Sequence, residues 1–232
     1  MKNVCLVFAL WVASFQVSKA QDCSQGFYAM KEGTKFSMTN YNDKGKITST
    51  SSSVVKSIKA DGAKFEATIE ASAKDGKDKP ILDGKNFTVT CDNGTIKLDI
   101  SSMMMADFAN QMKNMEVSIS GSGIEIPSNL SEGMSLSDGT TEMKLGTNGV
   151  SFMTMKFDIK NRKVEAKESK TTPAGTFDCY KITYDMDMKT IMKRQMKVVQ
   201  WMAPGVGLVR SESFNQKGEL EGYSELTKFE KP

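Results

Sequence analysis

The chain has 232 residues, 31 basic and 28 acidic side chains, a formal net charge of +3 and no histidine at all. The missing imidazole removes Ser-His-Asp and Cys-His catalysis, the usual imidazole general bases, and every zinc, iron or blue-copper site that needs a histidine ligand. Carboxylate, lysine, tyrosine or thiolate chemistry stays open.

The first twenty residues have the form of a cleavable signal peptide. Lys2 supplies a short positive start, the run from Val4 to Phe15 is apolar, and Ser18-Lys19-Ala20 places small residues where a signal peptidase reads them. Twelve residues on a helix reach about 18 Å, short of a roughly 30 Å hydrocarbon core, so no transmembrane anchor is expected. Cleavage is predicted after Ala20, giving one domain over residues 21–232. Cys23 is not the first mature residue, so lipid acylation there is not expected. Loss of Lys2 and Lys19 brings the charge to +1, which offers no net electrostatic footprint for nucleic acid or an anionic membrane. Cys23, Cys91 and Cys179 survive cleavage, so one disulfide with one cysteine left over is expected of an exported protein. Cys91 and Cys179 both sit in strand-like runs while Cys23 lies near a chain end, which favours the pair Cys91 and Cys179.

Along the mature chain, short alternating runs are separated by turn residues. Phe36 and Met38 alternate with Lys35, Ser37 and Thr39. Phe65, Ala67, Ile69 and Ala71 alternate with Glu66, Thr68 and Glu70, and the scheme repeats at Phe87, Val89, Cys91 and at Ile96, Leu98, Ile100. Asn42-Asp43-Lys44-Gly45, Asp61-Gly62, Asp75-Gly76, Asp92-Asn93-Gly94 and Asp138-Gly139 supply turn chemistry. Period-two alternation implies one buried and one wet face. The pattern predicts an all-β fold with one short helix: a single large, strongly curved antiparallel sheet forming a barrel or half-barrel. The helix is expected over Ser101–Met115, where Met104, Phe108, Met112 and Met115 fall on one stripe that would lie as an apolar lid against the open face of the sheet. Met186–Met202 is ambiguous between a charged helix and a long hairpin, with strands favoured at its Gln195–Met202 end. The segments Tyr41–Ile47 and Phe214–Leu220 echo each other as aromatic-flanked hairpins.

Several chemical motifs dissolve on inspection. Ser53-Val54-Val55-Lys56 has the S-x-x-K form of penicillin-binding proteins but lies in a β-like run without the companion motifs. Asn40, Asn42 and Gly45 sketch a calcium loop that Lys44 spoils. Sixteen methionines remain after cleavage; Met103–Met105, Met153-Thr154-Met155 and Met186-Asp187-Met188 could in principle hold Cu(I), but flexible core packing explains them better. No cofactor is expected. Asp185 and Asp187 read as a solvated strand face.

Two C-terminal stretches are more particular: Thr171-Thr172-Pro173-Ala174-Gly175-Thr176-Phe177-Asp178-Cys179-Tyr180-Lys181-Ile182 and Trp201-Met202-Ala203-Pro204-Gly205-Val206-Gly207-Leu208-Val209-Arg210-Ser211-Glu212. With Lys31–Phe36 and Asn40-Tyr41 they resemble the TapB-like family of exported bacterial proteins, built on a domain of unknown function. The resemblance implies a curved antiparallel sheet resident in the periplasm, or outside the cell, of a Gram-negative bacterium. In physical terms Pro173, Gly175, Phe177 and Cys179 describe a tight turn feeding a strand, and Trp201, Pro204, Gly205 and Gly207 a strand that turns sharply and restarts. The functional expectation is a non-enzymatic binding or carrier module whose apolar concave face takes a lipid, a lipoprotein segment or another envelope protein. A structural or adhesive protein-interaction module, and a histidine-free carboxylate enzyme such as a glycosidase, are the rival readings.

Overall fold

The structure, a computed structural model, describes residues 23, 26–27, 31–61, 64–98, 116–148, 150–189 and 193–232. The segment 1–20, expected to be a signal peptide, and Met104, Phe108, Met112 and Met115, expected to form a helical lid, lie outside these residues. The described chain forms β1 (Lys35–Asn42), β2 (Ile47–Asp61), β3 (Lys64–Asp75), β4 (Pro80–Asp92), β5 (Thr95–Leu98), β6 (Glu116–Gly121), β7 (Ile124–Pro127), β8 (Gly139–Thr147), β9 (Val150–Thr172), β10 (Gly175–Lys189), β11 (Lys193–Ala203), β12 (Gly207–Phe214) and β13 (Leu220–Glu230). All thirteen join one sheet in the order β6-β8-β9-β10-β11-β12-β13-β1-β2-β3-β4-β5-β7, and each pairing is antiparallel. The ambiguous Met186–Met202 stretch is the β10–β11 hairpin, with Met186 opposite Met196.

Antiparallel neighbours send successive hairpins to alternate ends. One end, the rim, carries the β1–β2, β3–β4, β8–β9, β10–β11 and β12–β13 connections. The other, the base, carries β2–β3, β4–β5, β9–β10 and β11–β12, together with the C-terminus. Three rim hairpins share one device. The Asn42 Oδ1 accepts from the Lys44 and Lys46 amides at 3.1 and 2.8 Å. Asp75 Oδ1 does the same for Lys77 and Lys79 at 2.8 and 2.9 Å, and Asn215 Oδ1 for Lys217 and Glu219 at 2.9 and 3.0 Å. A short side-chain acceptor at the turn's first position replaces backbone partners that the reversal removes. The echo between Tyr41–Ile47 and Phe214–Leu220 is this shared turn.

The hydrogen-bond ladder stays open, and its edges are β6 and β7. These two strands are consecutive in the chain, joined by Ser122 and Gly123, so the sheet curls until its edges lie side by side. Before the joint the segment pairs with β8; after it, with β5. Gly139 is not a hairpin turn, as Asp138-Gly139 suggested. It begins β8 at the joint, where a Cβ would sit 2.7 Å from the Gly123 carbonyl oxygen, so only glycine permits the approach. The buried Arg162 Nη1 spans the seam, donating to the Glu125 carbonyl at 3.0 Å and the Ser137 carbonyl at 2.8 Å.

The base half of the interior is packed solid. Val55, Ala67, Ile69, Val89, Ile96, Val164 and Ile182 are at most 1% exposed, and Phe27, Leu130 and Leu136 close the space from the loops. Cys23 and Cys91 form a disulfide, and Cys179 is a buried free thiol. The expected Cys91–Cys179 pair is therefore corrected. On β4, Cys91 points inward beside Val89, whereas on β10 the inward place belongs to Tyr180 and Cys179 faces the opposite side. Two cysteines on opposite faces of a sheet cannot meet. Cys23 reaches Cys91 because its segment is fixed to the base: the Gly205 amide donates to the Gly26 carbonyl at 2.8 Å, and the Phe27 ring meets Tyr180 edge-on at 5.5 Å.

Peptide mapping of unreduced protein is expected to return Cys23 linked to Cys91, with Cys179 alkylated only after unfolding. Closing a 68-residue separation should stabilise by about 4 kcal/mol, read as the drop in urea stability of C23S/C91S. Replacing Arg162 with Met removes two charge-assisted hydrogen bonds to part-buried carbonyls, about 1.5–3 kcal/mol each, and hydrogen exchange should accelerate first in residues 116–127.

Candidate functional site

Alternation above the packed base carries the inner face toward the rim. On β9, Met153, Met155 and Phe157 continue inward from Ile159; Met186 and Met188 follow Tyr184 on β10; Met196 follows Val198 on β11. Phe157 faces Met188, and Met186 lies between Ile159 and Met196. All six of these Met and Phe side chains are half-buried. Across the trough the inward residues of β2 and of the rim end of β3 are small, while Met38 of β1 stands opposite Ser51 and Leu82 of β4 opposite Ala73. Ser49, Ser51 and Ser53 on β2 pair with Asp75, Ala73 and Ala71 of β3, and Asn40 stands opposite Ser49 and Ser224. A concavity of about 220 Å³ is lined there by Asn40, Ser211, Ser213 and Ser224 among others. The rim half of the interior thus has one polarisable apolar wall and one wall made mostly of hydroxyls and small side chains, interrupted by Met38 and Leu82. Thioethers adapt to irregular partners at little rotamer cost, which suits a face that must accept an apolar chain.

On the outer face a groove of about 980 Å³ runs beneath the β12–β13 turn, lined by Asp185, Asp187, Gln195, Lys197, Asn161 and Phe214 among others. Asn161 adopts φ 54° and donates through Nδ2 to Asp185 Oδ2 at 2.8 Å. Gln195 Nε2 donates to Asp187 Oδ1 at 2.9 Å, and Lys160 Nζ lies 3.4 Å from Asp187 Oδ2. The amide of Gln195, then Lys160, hold the Asp187 carboxyl below the usual carboxylate range. A glycosidase acid needs its pKa raised, so Asp187 is poorly suited to donate a proton. Next to it the buried Asp158 accepts from Thr140 Oγ1 at 2.7 Å and pairs with Lys156 and Lys189, each at 3.2 Å.

The two C-terminal motifs meet in space. Phe177 and Cys179 from the first and Trp201, Ala203, Val206 and Val209 from the second form a separate hydrophobic cluster on the outer face. Trp201 is 4% exposed: Glu168 Oε1 accepts from its Nε1 at 2.5 Å, and Lys170 Nζ lies 3.7 Å above its ring, a cation–π contact. The Pro173-Ala174 turn bends toward β13, where the Ala174 amide donates to the Leu226 carbonyl at 3.4 Å. Pro204 and Gly205 make the turn that holds Gly26, and the buried Gly207 restarts the chain at φ 104°. Burial, then Asp178, push the Cys179 thiol up to about 11, which leaves it a packing residue rather than a nucleophile. Pro173, Gly175, Phe177, Cys179, Trp201, Pro204, Gly205 and Gly207 thus build the base and face away from the trough. Glu168 and Lys170 complete the cluster, and no sequence motif signalled them.

Residues 31–226, including both motifs, match the DUF3108-like family. The chain belongs to that family. Its fold is similar to the crystal structure of a "putative exported protein with YmcC-like fold" from Bacteroides fragilis, with a TM-score of 0.72 at 24% identity over 89% of this chain and 100% of that one. It is likewise similar to a "putative lipoprotein" from Parabacteroides distasonis, with a TM-score of 0.73 at 23% identity over 90% of this chain and 100% of that one. No curated protein matches the chain. These structural likenesses are of fold. The family match spans the interlocked base and most of the trough, so both are parts of one family architecture.

Hydrogen bonding from Thr140, then from Lys156 and Lys189, lowers the Asp158 pKa from 3.8 to about 2. A depressed carboxyl contributes stability that is present above its unfolded pKa and lost as pH falls through the folded value. The urea midpoint should therefore fall between pH 4 and pH 2. In D158N it should be lower at pH 7 and lose much of that acid slope.

Proposed function

We propose that the mature chain is an exported envelope protein that works without catalysis, holding an apolar chain of a lipid or lipoprotein-type ligand in the rim half of its trough. The observation that carries this reading is the half-buried Met153, Met155, Phe157, Met186, Met188 and Met196 wall opposite the serine wall. Core methionines would be expected to be covered, and these five, with Phe157, keep exposed surface on a concave face. Export is supported by the form of residues 1–20 and by the Cys23–Cys91 disulfide, which needs an oxidising compartment to persist. Among the described residues no helix is long and apolar enough to cross a membrane. Within the DUF3108-like family, the 171–182 and 201–212 motifs favour the TapB-like group and a Gram-negative periplasmic or extracellular address. The apolar lid role of Met104, Phe108, Met112 and Met115 belongs to the same proposal.

The test is native mass spectrometry of mature protein purified without denaturant from its own envelope fraction, with organic extraction of what co-purifies. A stoichiometric apolar adduct is expected, reduced in M186Q/M196Q. A clean apo mass under those conditions would overturn the carrier reading in favour of a structural or adhesive module.

A further inference from the structure

Among the described residues the exposed large hydrophobics are Ile47, Val150 and Phe152, at 45%, 69% and 58%, and all three sit at the rim. The β8–β9 hairpin also extends past its β10 neighbour: strand β9 pairs with β10 only from Lys156, opposite Lys189, so Val150–Met155 continue beyond the last paired residue of β10. Its apolar display is built by the backbone. Leu145 pairs with Met153 and Gly146 with Ser151, which leaves Phe152 as the extra residue of a bulge. Bulges re-aim a side chain at strand ends, and here the aromatic ring that could have joined the Met wall is turned to solvent.

Charge is distributed along the same axis. In the rim hairpins 42–47, 74–80, 189–194 and 214–221, nine basic side chains face five acidic ones, whereas the base segments 31–35, 59–66, 91–97, 127–138, 172–176, 203–207 and 228–232 hold seven of each. The near-neutral total conceals a basic rim that also carries an exposed apolar tip. Exposed aromatic and β-branched side chains flanked by lysines match the interfacial layer of an anionic bilayer, where the ring enters the headgroup and acyl boundary and the ammonium groups meet lipid phosphates.

From this geometry we propose that the rim end docks on an anionic membrane surface, with Val150 and Phe152 seated in the interface and Lys44, Lys46, Lys77, Lys79 and Lys193 on the same rim. The proposal stands whether or not the trough holds a ligand. Docking in this pose would also turn the mouth of the trough toward the lipid.

The experiment is co-sedimentation of the mature protein with vesicles of phosphatidylcholine alone and of phosphatidylcholine mixed with phosphatidylglycerol, at low and high salt, with light scattering for oligomeric state. Binding is expected to the anionic vesicles and to weaken with salt. V150S/F152S should lower the partition coefficient about tenfold or more, and K77E/K193E should lower binding to the anionic vesicles alone. Both pairs are solvent-facing, so unchanged circular dichroism and urea midpoints serve as the folding control. Absence of vesicle binding, or equal binding by V150S/F152S, overturns the proposal. So does concentration-dependent self-association abolished by V150S/F152S, which would assign the tip to a second copy of the chain. A lipid adduct in native mass spectrometry without vesicle binding would sink this proposal and leave the carrier reading intact.

Discussion

A single buried guanidinium, Arg162, donates to the carbonyls of Glu125 and Ser137, and with the bonds between Ser122 and Thr140 those two contacts bridge the seam where the edges of the open ladder meet. Burial lowers the pKa of Arg162, yet an arginine stays protonated in any protein interior. The buried charge is answered by carbonyl dipoles, with the Tyr184 ring, Asp138 and Glu125 nearby. A mostly apolar contact would not serve this position equally well. The segment through Ser122 and Gly123 leaves one strand partner before gaining the next, so its carbonyls need donors that no ladder supplies. With the seam held, the sheet acquires an inside and an outside, and every later feature of the molecule is assigned to one of them.

That assignment follows a parity rule, and parity is where reading the sequence succeeded and failed. Alternation at Phe65–Ala71 and Phe87–Cys91 named the inward residues of β3 and β4 correctly, since an uninterrupted strand preserves its period of two. It did not say which face of β10 was inward. Cys179 and Tyr180 are adjacent, both are plausible core residues, and only the pairing of Ile182 with Val164 and of Met186 with Ile159 fixes the answer. The β9–β10 register shifts twice, at Lys181/Ile182 and at Thr183/Asp185, and a bulge carries no local sequence mark when Asn rather than Gly supplies the positive φ, as at Asn161. The disulfide expectation failed on that one-residue ambiguity. The seam was invisible for a similar reason: Ser122-Gly123 reads as an ordinary turn, and its partners, Leu98 and Gly139, are distant in sequence.

The candidate trough was legible in composition but not in place. Methionine abundance pointed to an adaptable apolar surface, and the chain-local stripe at Met104–Met115 was the natural position for it. Among the described residues an apolar surface is assembled across three neighbouring strands, from Met153, Met155, Met186, Met188 and Met196, while the Met104–Met115 stripe lies outside them. Met155, Met186, Met188 and Met196 each have a lysine or aspartate as a neighbour, so each strand alone looks like an amphipathic edge. Only cross-strand registration, Phe157 with Met188 and Met186 with Met196, turns isolated residues into a wall.

Stability and recognition are thereby separated along the axis of the sheet. The residues that look most distinctive in the sequence, the Pro-Gly turns with Phe177, Cys179 and Trp201, are spent on the base, where the second cluster clamps the β9–β10 and β11–β12 turns and Gly205 holds the disulfide-bearing segment. Among its described residues the rim has polar cross-links, Gln216 to Gln195 and Arg194 to Glu221, but no disulfide or second apolar cluster; three of its hairpins are closed by their own Asx acceptors, and its inward side chains are mainly flexible thioethers on one wall and small hydroxyls on the other. A fixed base lets the rim strands separate or approach by small amounts without unpacking the core, because the bulk of the apolar burial lies below them. Substitutions along the trough should therefore alter what the molecule accepts with little effect on whether it folds. The buried motif residues of the base, Cys179, Trp201 and Gly207, should behave in the opposite way.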